Sequence, residues 1–180
     1  MYNQKFGLVI QGLLYSKFKK IKNHHYDCNE NIDYILNNFS RLFSEIILVT
    51  WESEKTKLNK NYKKIKNLKI LFLKDPGIPN LYSNDVSDNR LRQFYSSYKG
   101  ICALSKNIDI AIKIRSDFRI NLKPTINFFL KEEIRKKKLL KKKFEGVICS
   151  YRFILTRPYW LSDFLYIGRK NMIKNFFLSQ

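Results

Sequence analysis

Residues 110–120 read IAIKIRSDFRI, and the chemistry-bearing types sit at one end of them. Ile110, Ala111, Ile112 and Ile114 suit a buried strand, and the strand stops at Arg115-Ser116-Asp117. Asp117 lies between Arg115 and Arg119 in a chain with 15 acidic and 35 basic residues, so its carboxylate has three readings. It pairs with one of the arginines as a structural group, it helps hold Mg²⁺ or Mn²⁺ against a diphosphate, or it serves as a base. Hard cations bind through one or two carboxylates plus substrate phosphates. A base needs a raised pKa, which two neighbouring guanidinium groups oppose. Metal or substrate binding is therefore favoured over proton abstraction. The planar fork of Arg115 itself suits a diphosphate.

Other strands end in a comparable way. FGLVI (6–10) runs into Gln11-Gly12, EIILVTW (45–51) into Thr50-Trp51, and LKILFL (68–73) into Asp75-Pro76-Gly77. These apolar runs are too short for helices and read as buried strands. Between them, Ile32, Ile35, Leu36, Phe39, Leu42 and Phe43 recur at helical spacing and predict an amphipathic helix. A second helix begins near Asn89, with Leu91, Phe94, Tyr95, Tyr98, Ile101 and Cys102 on its apolar face. Its other face carries Asn89, Arg92, Gln93, Ser96 and Ser97, small and amide residues suited to close approach by a ligand or another segment.

A helix from about Pro124, strands in GVICSYRFIL and LSDFLYIG, and a last helix at NMIKNFF complete the pattern. Residues 13–29 read as a loop or short helix, and 52–67 as a surface helix. Alternating strands and helices predict one α/β domain over 1–180 with a mostly parallel sheet flanked by helices. In such sheets ligands bind beyond the carboxyl ends of the strands. Gln11, Arg92 and Asp117 are expected to converge there on a common phosphate.

Composition narrows the class. No apolar run approaches the ~20 residues of a membrane span. The N-terminal apolar stretch is broken by Gln11-Gly12, lacks a leading positive region and reads as a strand rather than a signal peptide. Cys28, Cys102 and Cys149 form no CxxC or metal spacing, which fits a reduced, cytoplasmic setting. His24-His25 has no third ligand nearby and reads as solvated loop. The net charge of +20 points to an anionic partner. The absence of a helix-turn-helix, zinc-finger or RNP-like pattern weighs against nucleic acid.

The densest basic run, KEEIRKKKLLKKKF (131–144), reads as a solvated helix end or as contact with anionic lipid. Each basic residue near such a surface adds ~1 kcal/mol.

The ordered blocks LVIQG, ILVTWE, NRLRQFYSSYKGI, KIRSD and TRPYWLSDFLYIG resemble the WavE lipopolysaccharide-synthesis family across residues 6–173. Ser97 and Ser116 stand where that family has threonine, keeping the hydroxyl. The resemblance implies a GT-A-like, Rossmann-like fold, shortened at its C-terminus relative to longer members. It implies transfer of sugar from a nucleotide-sugar donor to a lipid-linked or oligosaccharide acceptor of lipopolysaccharide or capsule, at the inner membrane face.

By the same resemblance Arg115, Ser116 and Asp117 look like the D-x-D position, with Arg115 replacing the first acid and placing metal dependence in question. Gln11 and Gly12 would lie beside the base, which Trp51 would stack on unless it fills the core. Asn89, Arg92 and Gln93 would face the donor. Ser162-Asp163 would meet the acceptor, Asp163 binding its hydroxyl or removing its proton. A basic polyanion-binding module and an inactive remnant of the enzyme are the alternatives.

Overall fold

The computed structural model describes residues 4–17, 25–77, 90–140, 148–150 and 165–178. Its centre is a six-stranded sheet in the order β5-β4-β1-β6-β8-β7. The strands are β1 (Phe6–Gln11), β4 (Glu45–Trp51), β5 (Leu68–Leu73), β6 (Ile110–Arg115), β7 (Ile148–Ser150) and β8 (Leu165–Arg169). A short ribbon, β2 (Tyr15–Lys17) against β3 (His25–Asp27), lies apart from the sheet. The helices are α1 (Cys28–Phe39), α2 (Arg90–Ala103), α3 (Leu122–Leu140) and α4 (Lys170–Leu178). The mostly parallel, helix-flanked α/β architecture expected from the sequence is present.

β1 is parallel to both neighbours, with Gln11 opposite Val49 of β4 and Arg115 of β6. β8 runs antiparallel to β6, and β7 antiparallel to β8. Parallel strands need crossovers and are covered on both faces, which explains runs that read apolar at every position. All seven residues of β4 are buried. One face packs Leu8, Ile10, Ile46, Leu48, Ile112 and Ile114 against apolar residues of α1 and α3. The other packs Val9, Ile47, Val49, Ala111 and Tyr166 against α2 and α4. Each such side chain contributes about 1.5–3 kcal/mol by leaving water.

α1 starts where Asp27 caps it, its carboxylate accepting the Asn29 N–H at 2.8 Å. Of the expected apolar face, Leu42 alone stays open, 38% exposed in the 3₁₀ turn after the helix. The surface helix expected over 52–67 is instead two 3₁₀ turns, Glu52–Lys57 and Lys60–Lys64. They are pinned by buried Glu54 and Tyr62, so long-range contacts override the helical composition. The loop or helix expected over 13–29 contains the β2–β3 ribbon and the first residues of α1.

The two faces of α2 depart from expectation. Ser96, Ser97, Gly100 and Ile101 are the buried residues, while Leu91 is 43% exposed and Cys102 is exposed. A Cβ on Gly100 would stand 2.5 Å from Val9 Cγ1 and 2.7 Å from Val49 Cγ2. The helix lies so close to β1 and β4 that small residues are required beneath it. The close approach read from the Ser96-Ser97 face is made to the sheet. The aromatic stripe turns sideways, and Phe94 packs on Phe177 of α4 with ring centroids 5.9 Å apart.

Candidate functional site at the carboxyl ends of the strands

From β1 the chain proceeds to β4 and then β5 on one side, while β6 lies on the other. The order reverses at β1, and the crevice of an open α/β sheet forms at such a reversal. Gln11, Gly12, Arg115, Ser116 and Asp117 all occur there.

The strand ends are laced together by backbone. The Gly12 N–H donates to Val49 O at 3.1 Å, and the Ser116 N–H donates to Gln11 O at 2.9 Å. The Ser116 hydroxyl donates to Leu13 O at 2.6 Å, and Asn31 Nδ2 donates to Ser116 O at 3.3 Å. Gly12 has φ +139°, and a Cβ there would lie 2.5 Å from Ser116 Oγ. The Gln11-Gly12 pair thus lets β1 turn against β6 at close quarters. Ser116 is 2% exposed, and its hydroxyl serves this lacing.

Arg115 and Asp117 form a two-point ion pair, Nε to Oδ1 at 2.8 Å and Nη2 to Oδ2 at 2.5 Å. Their side chains keep 26% and 24% of their surface open, so the pair is partly open to solvent. This is the first of the three readings of Asp117. Arg119 instead lies over the ring of Tyr34, 4.1 Å from its centroid. No group of three His, Cys, Asp or Glu side chains able to hold a metal occurs among the described residues. Both Asp117 oxygens already accept from Arg115, and Asp75 is held by Arg92. The described donors do not fit a resident divalent cation, and no step is assigned to one.

Arg92 donates from Nε to Asp75 Oδ1 at 2.7 Å, and Nη2 lies 2.6 Å from Oδ2. This hydrogen-bonded guanidinium holds the Asp75 carboxyl below the usual carboxylate range, outweighing slight burial. The pairing ties Arg92 to the end of β5, three strand spacings or roughly 14 Å from β6. Arg92 is thus engaged by Asp75 beyond β5, and Asp117 by Arg115 at the end of β6. Gln93, one residue on, is half-buried. Trp51 is 6% exposed in the cluster with Val49, Leu73 and Ile101, which is its core-filling alternative. Asn89, Ser162 and Asp163 lie outside the described residues.

Several supports were not apparent in the sequence. Glu54, 4% exposed, accepts the N–H groups of Leu14 and Tyr15 at 3.0 and 3.3 Å and pairs with Lys57 at 2.7 Å. Nothing marks it among neighbouring lysines. Cys28 packs against the strand ends, and burial pushes its thiol up to about 11 despite a hydrogen bond with Ser116. Lys113 had a signal, a cation inside the apolar IAIKIR, and it is 1% exposed with Nζ 5.7 Å from the Tyr166 ring centroid.

The atoms left over are informative. Gln11 Oε1 and Thr50 Oγ1, both at carboxyl ends, are buried with no hydrogen-bond partner. Native proteins rarely leave buried polar atoms so, and each calls for a reason such as a missing ligand.

The layers, strand order and polar strand tips define a GT-A-like protein of the Rossmann type. The chain belongs to the WavE lipopolysaccharide synthesis family, whose profile it matches over residues 6–177. In structure it is similar to a 4-diphosphocytidyl-2C-methyl-D-erythritol synthase from Anaerococcus prevotii DSM 20548. That match has a TM-score of 0.50 and 15% sequence identity, and covers 98% of this chain and 74% of the other. No curated protein matches it in sequence. Among the described residues no helix is long and apolar enough to cross a membrane.

Proposed function

We propose that this chain transfers a sugar from a nucleotide-sugar donor to a growing lipopolysaccharide or capsule glycan. The observation that carries the reading is the partly exposed Arg115–Asp117 pair beside the partnerless Gln11 Oε1, at the strand-order reversal. Membership of a lipopolysaccharide-synthesis family supports it. So does the fold shared with a synthase whose name includes a diphosphocytidyl group.

In this reading Gln11 accepts a hydrogen bond from the donor nucleotide. Arg115 turns its fork to the diphosphate while Asp117 fixes the guanidinium plane and meets the ribose hydroxyls. As the bond between the sugar's anomeric carbon and the diphosphate oxygen breaks, the electron pair stays on that oxygen. Arg115 stabilises the resulting charge, and buried Lys113 adds positive potential behind it. The acceptor hydroxyl oxygen bonds to the anomeric carbon, and its proton passes to Asp163, which with Ser162 holds the acceptor. Arg115 supplies the neutralising charge that a metal provides in D-x-D sites.

Thermal shift against UDP-, GDP-, CMP- and dTDP-sugars, with and without Mn²⁺, tests the reading. A donor at 100 times its Kd stabilises by about 2.7 kcal/mol. Asp117→Asn is expected to abolish most of that shift while leaving the unliganded melting temperature within a few degrees. A folded protein that none of these donors stabilises overturns the proposal.

A further inference from the structure

The outward face of α3 combines exposed apolar and basic side chains. Its inward residues are Leu122, Ile126, Phe129 and Glu133, all buried at helical spacing. Beyond Glu133 none of residues 134–139 is buried, so the last turns rise clear of the core. On the outward side Phe128 is 59% exposed and Leu139 is 63% exposed. Eleven residues are three helical turns, so the two share one stripe, separated by roughly 16 Å. Lys131, Arg135 and Lys138 project along the same side, and all three are exposed.

The charge on this face is one-sided. α3 carries six basic and two acidic residues. Glu133 is turned inward, where Arg169 of β8 donates to it at 2.7 Å. Glu132 is tied to Arg135 at 2.6 Å, so neither carboxylate offsets the lysines. A single exposed apolar side chain means little. Two of them on one stripe, framed by cations on a helix with a buried opposite face, is the pattern of a helix lying in a membrane interface. Leu139 cannot stack on a base, and the face is a convex helix rather than a groove, which separates it from a single-strand nucleic-acid channel.

We propose that the outward face of α3 docks on an anionic lipid bilayer. Phe128 and Leu139 enter the headgroup boundary, while Lys131 and Lys138 contact lipid phosphates. The surface is separate from the strand tips, and its test does not pass through donor binding.

Flotation of the full chain with vesicles of phosphatidylcholine alone, or mixed equally with phosphatidylglycerol, reads the contact. The chain is expected to float with the mixed vesicles only, and to be released by salt. Lys131→Gln with Lys138→Gln should weaken partitioning roughly 25-fold, about fivefold per basic residue. Phe128→Ser with Leu139→Ser should weaken it tenfold or more. All four side chains are exposed, so both variants should melt with the parent. Lys63→Gln with Lys64→Gln, on an exposed turn elsewhere, should change binding less than twofold.

Failure to float with mixed vesicles overturns the proposal while leaving the donor reading standing. So does equal loss from the Lys63/Lys64 pair, which would reduce the effect to total charge. Binding that survives Phe128→Ser with Leu139→Ser and is competed by duplex DNA also overturns it, marking the face as a polyanion site.

Discussion

The two edges of the central sheet treat their buried polar groups differently, although each holds an unpartnered oxygen: Gln4 Oε1 precedes β1 at the amino edge, and Gln11 Oε1 ends it at the carboxyl edge. At the amino edge Glu45, 6% exposed, accepts from Lys69 and from the Ser105 N–H. Asn67 donates to the carbonyls of Ser40 and Phe43, and Lys170 donates to Leu104 and Ser105 O at the end of α2. A depression lined by Lys5, Glu45, Asn67, Lys69 and Ser105 lies there. Its Glu45, Asn67 and Lys69 are hydrogen-bonded within the chain. At the carboxyl edge Gln11 Oε1 and Thr50 Oγ1 are buried without partners, and the Arg115–Asp117 pair is partly exposed. Leaving a polar atom unpaired costs about 1–3 kcal/mol, a cost that the network around Glu45 avoids for the groups it joins. The carboxyl edge carries a cost that a ligand can offset.

The largest effect should come from Gly12→Ala. The positive φ and the 2.5 Å approach to Ser116 Oγ would cost about 3 kcal/mol, roughly 10 °C of Tm for a chain this long. A melting temperature within a degree or two of the parent would show that the β1–β6 lacing is not tight. At the other edge, Glu45→Ala strands the Ser105 N–H and should cost about 2 kcal/mol while leaving donor binding unchanged. Lost donor binding there would erase the distinction between the edges.

Glu45 also sets a pH dependence. Burial pushes its carboxyl up, but Lys69 and the Ser105 N–H pull it further down, leaving it below the usual carboxylate value. A depressed folded pKa gives stability that is present above the unfolded value and lost as pH falls through the folded one. Acid melting curves of the parent and of Glu45→Ala should therefore converge below the ordinary carboxylate range.

Gln11→Leu is the smallest and sharpest change. It removes a partnerless oxygen, so stability should hold or rise by up to about 1 kcal/mol, while donor affinity falls about tenfold. A clear loss of stability would mean that Gln11 is a structural group like Glu45.

The sequence carried the strands well, because a strand covered on both faces must be apolar at every position and its polar end then stands out. That is how Gln11-Gly12 and Arg115-Ser116-Asp117 were found, and the register places them side by side. Local pattern marked the Ser96-Ser97 face of α2 for close approach without showing that the sheet is what it approaches, and it placed Leu91 and Cys102 on the buried face, where both are exposed. It missed Glu54, whose partners Leu14 and Tyr15 lie far away along the chain.

Composition and periodicity by themselves determined the buried strands of the sheet, the layered α/β class and which residues end the strands, because burial dictates side-chain type locally. Only the tertiary structure decided what those end residues touch. It gave Arg92 to Asp75, put Arg115 on Asp117 and left Gln11 Oε1 without a partner. Hydrogen bonds and ion pairs act over a few ångströms in space, whatever the separation along the chain.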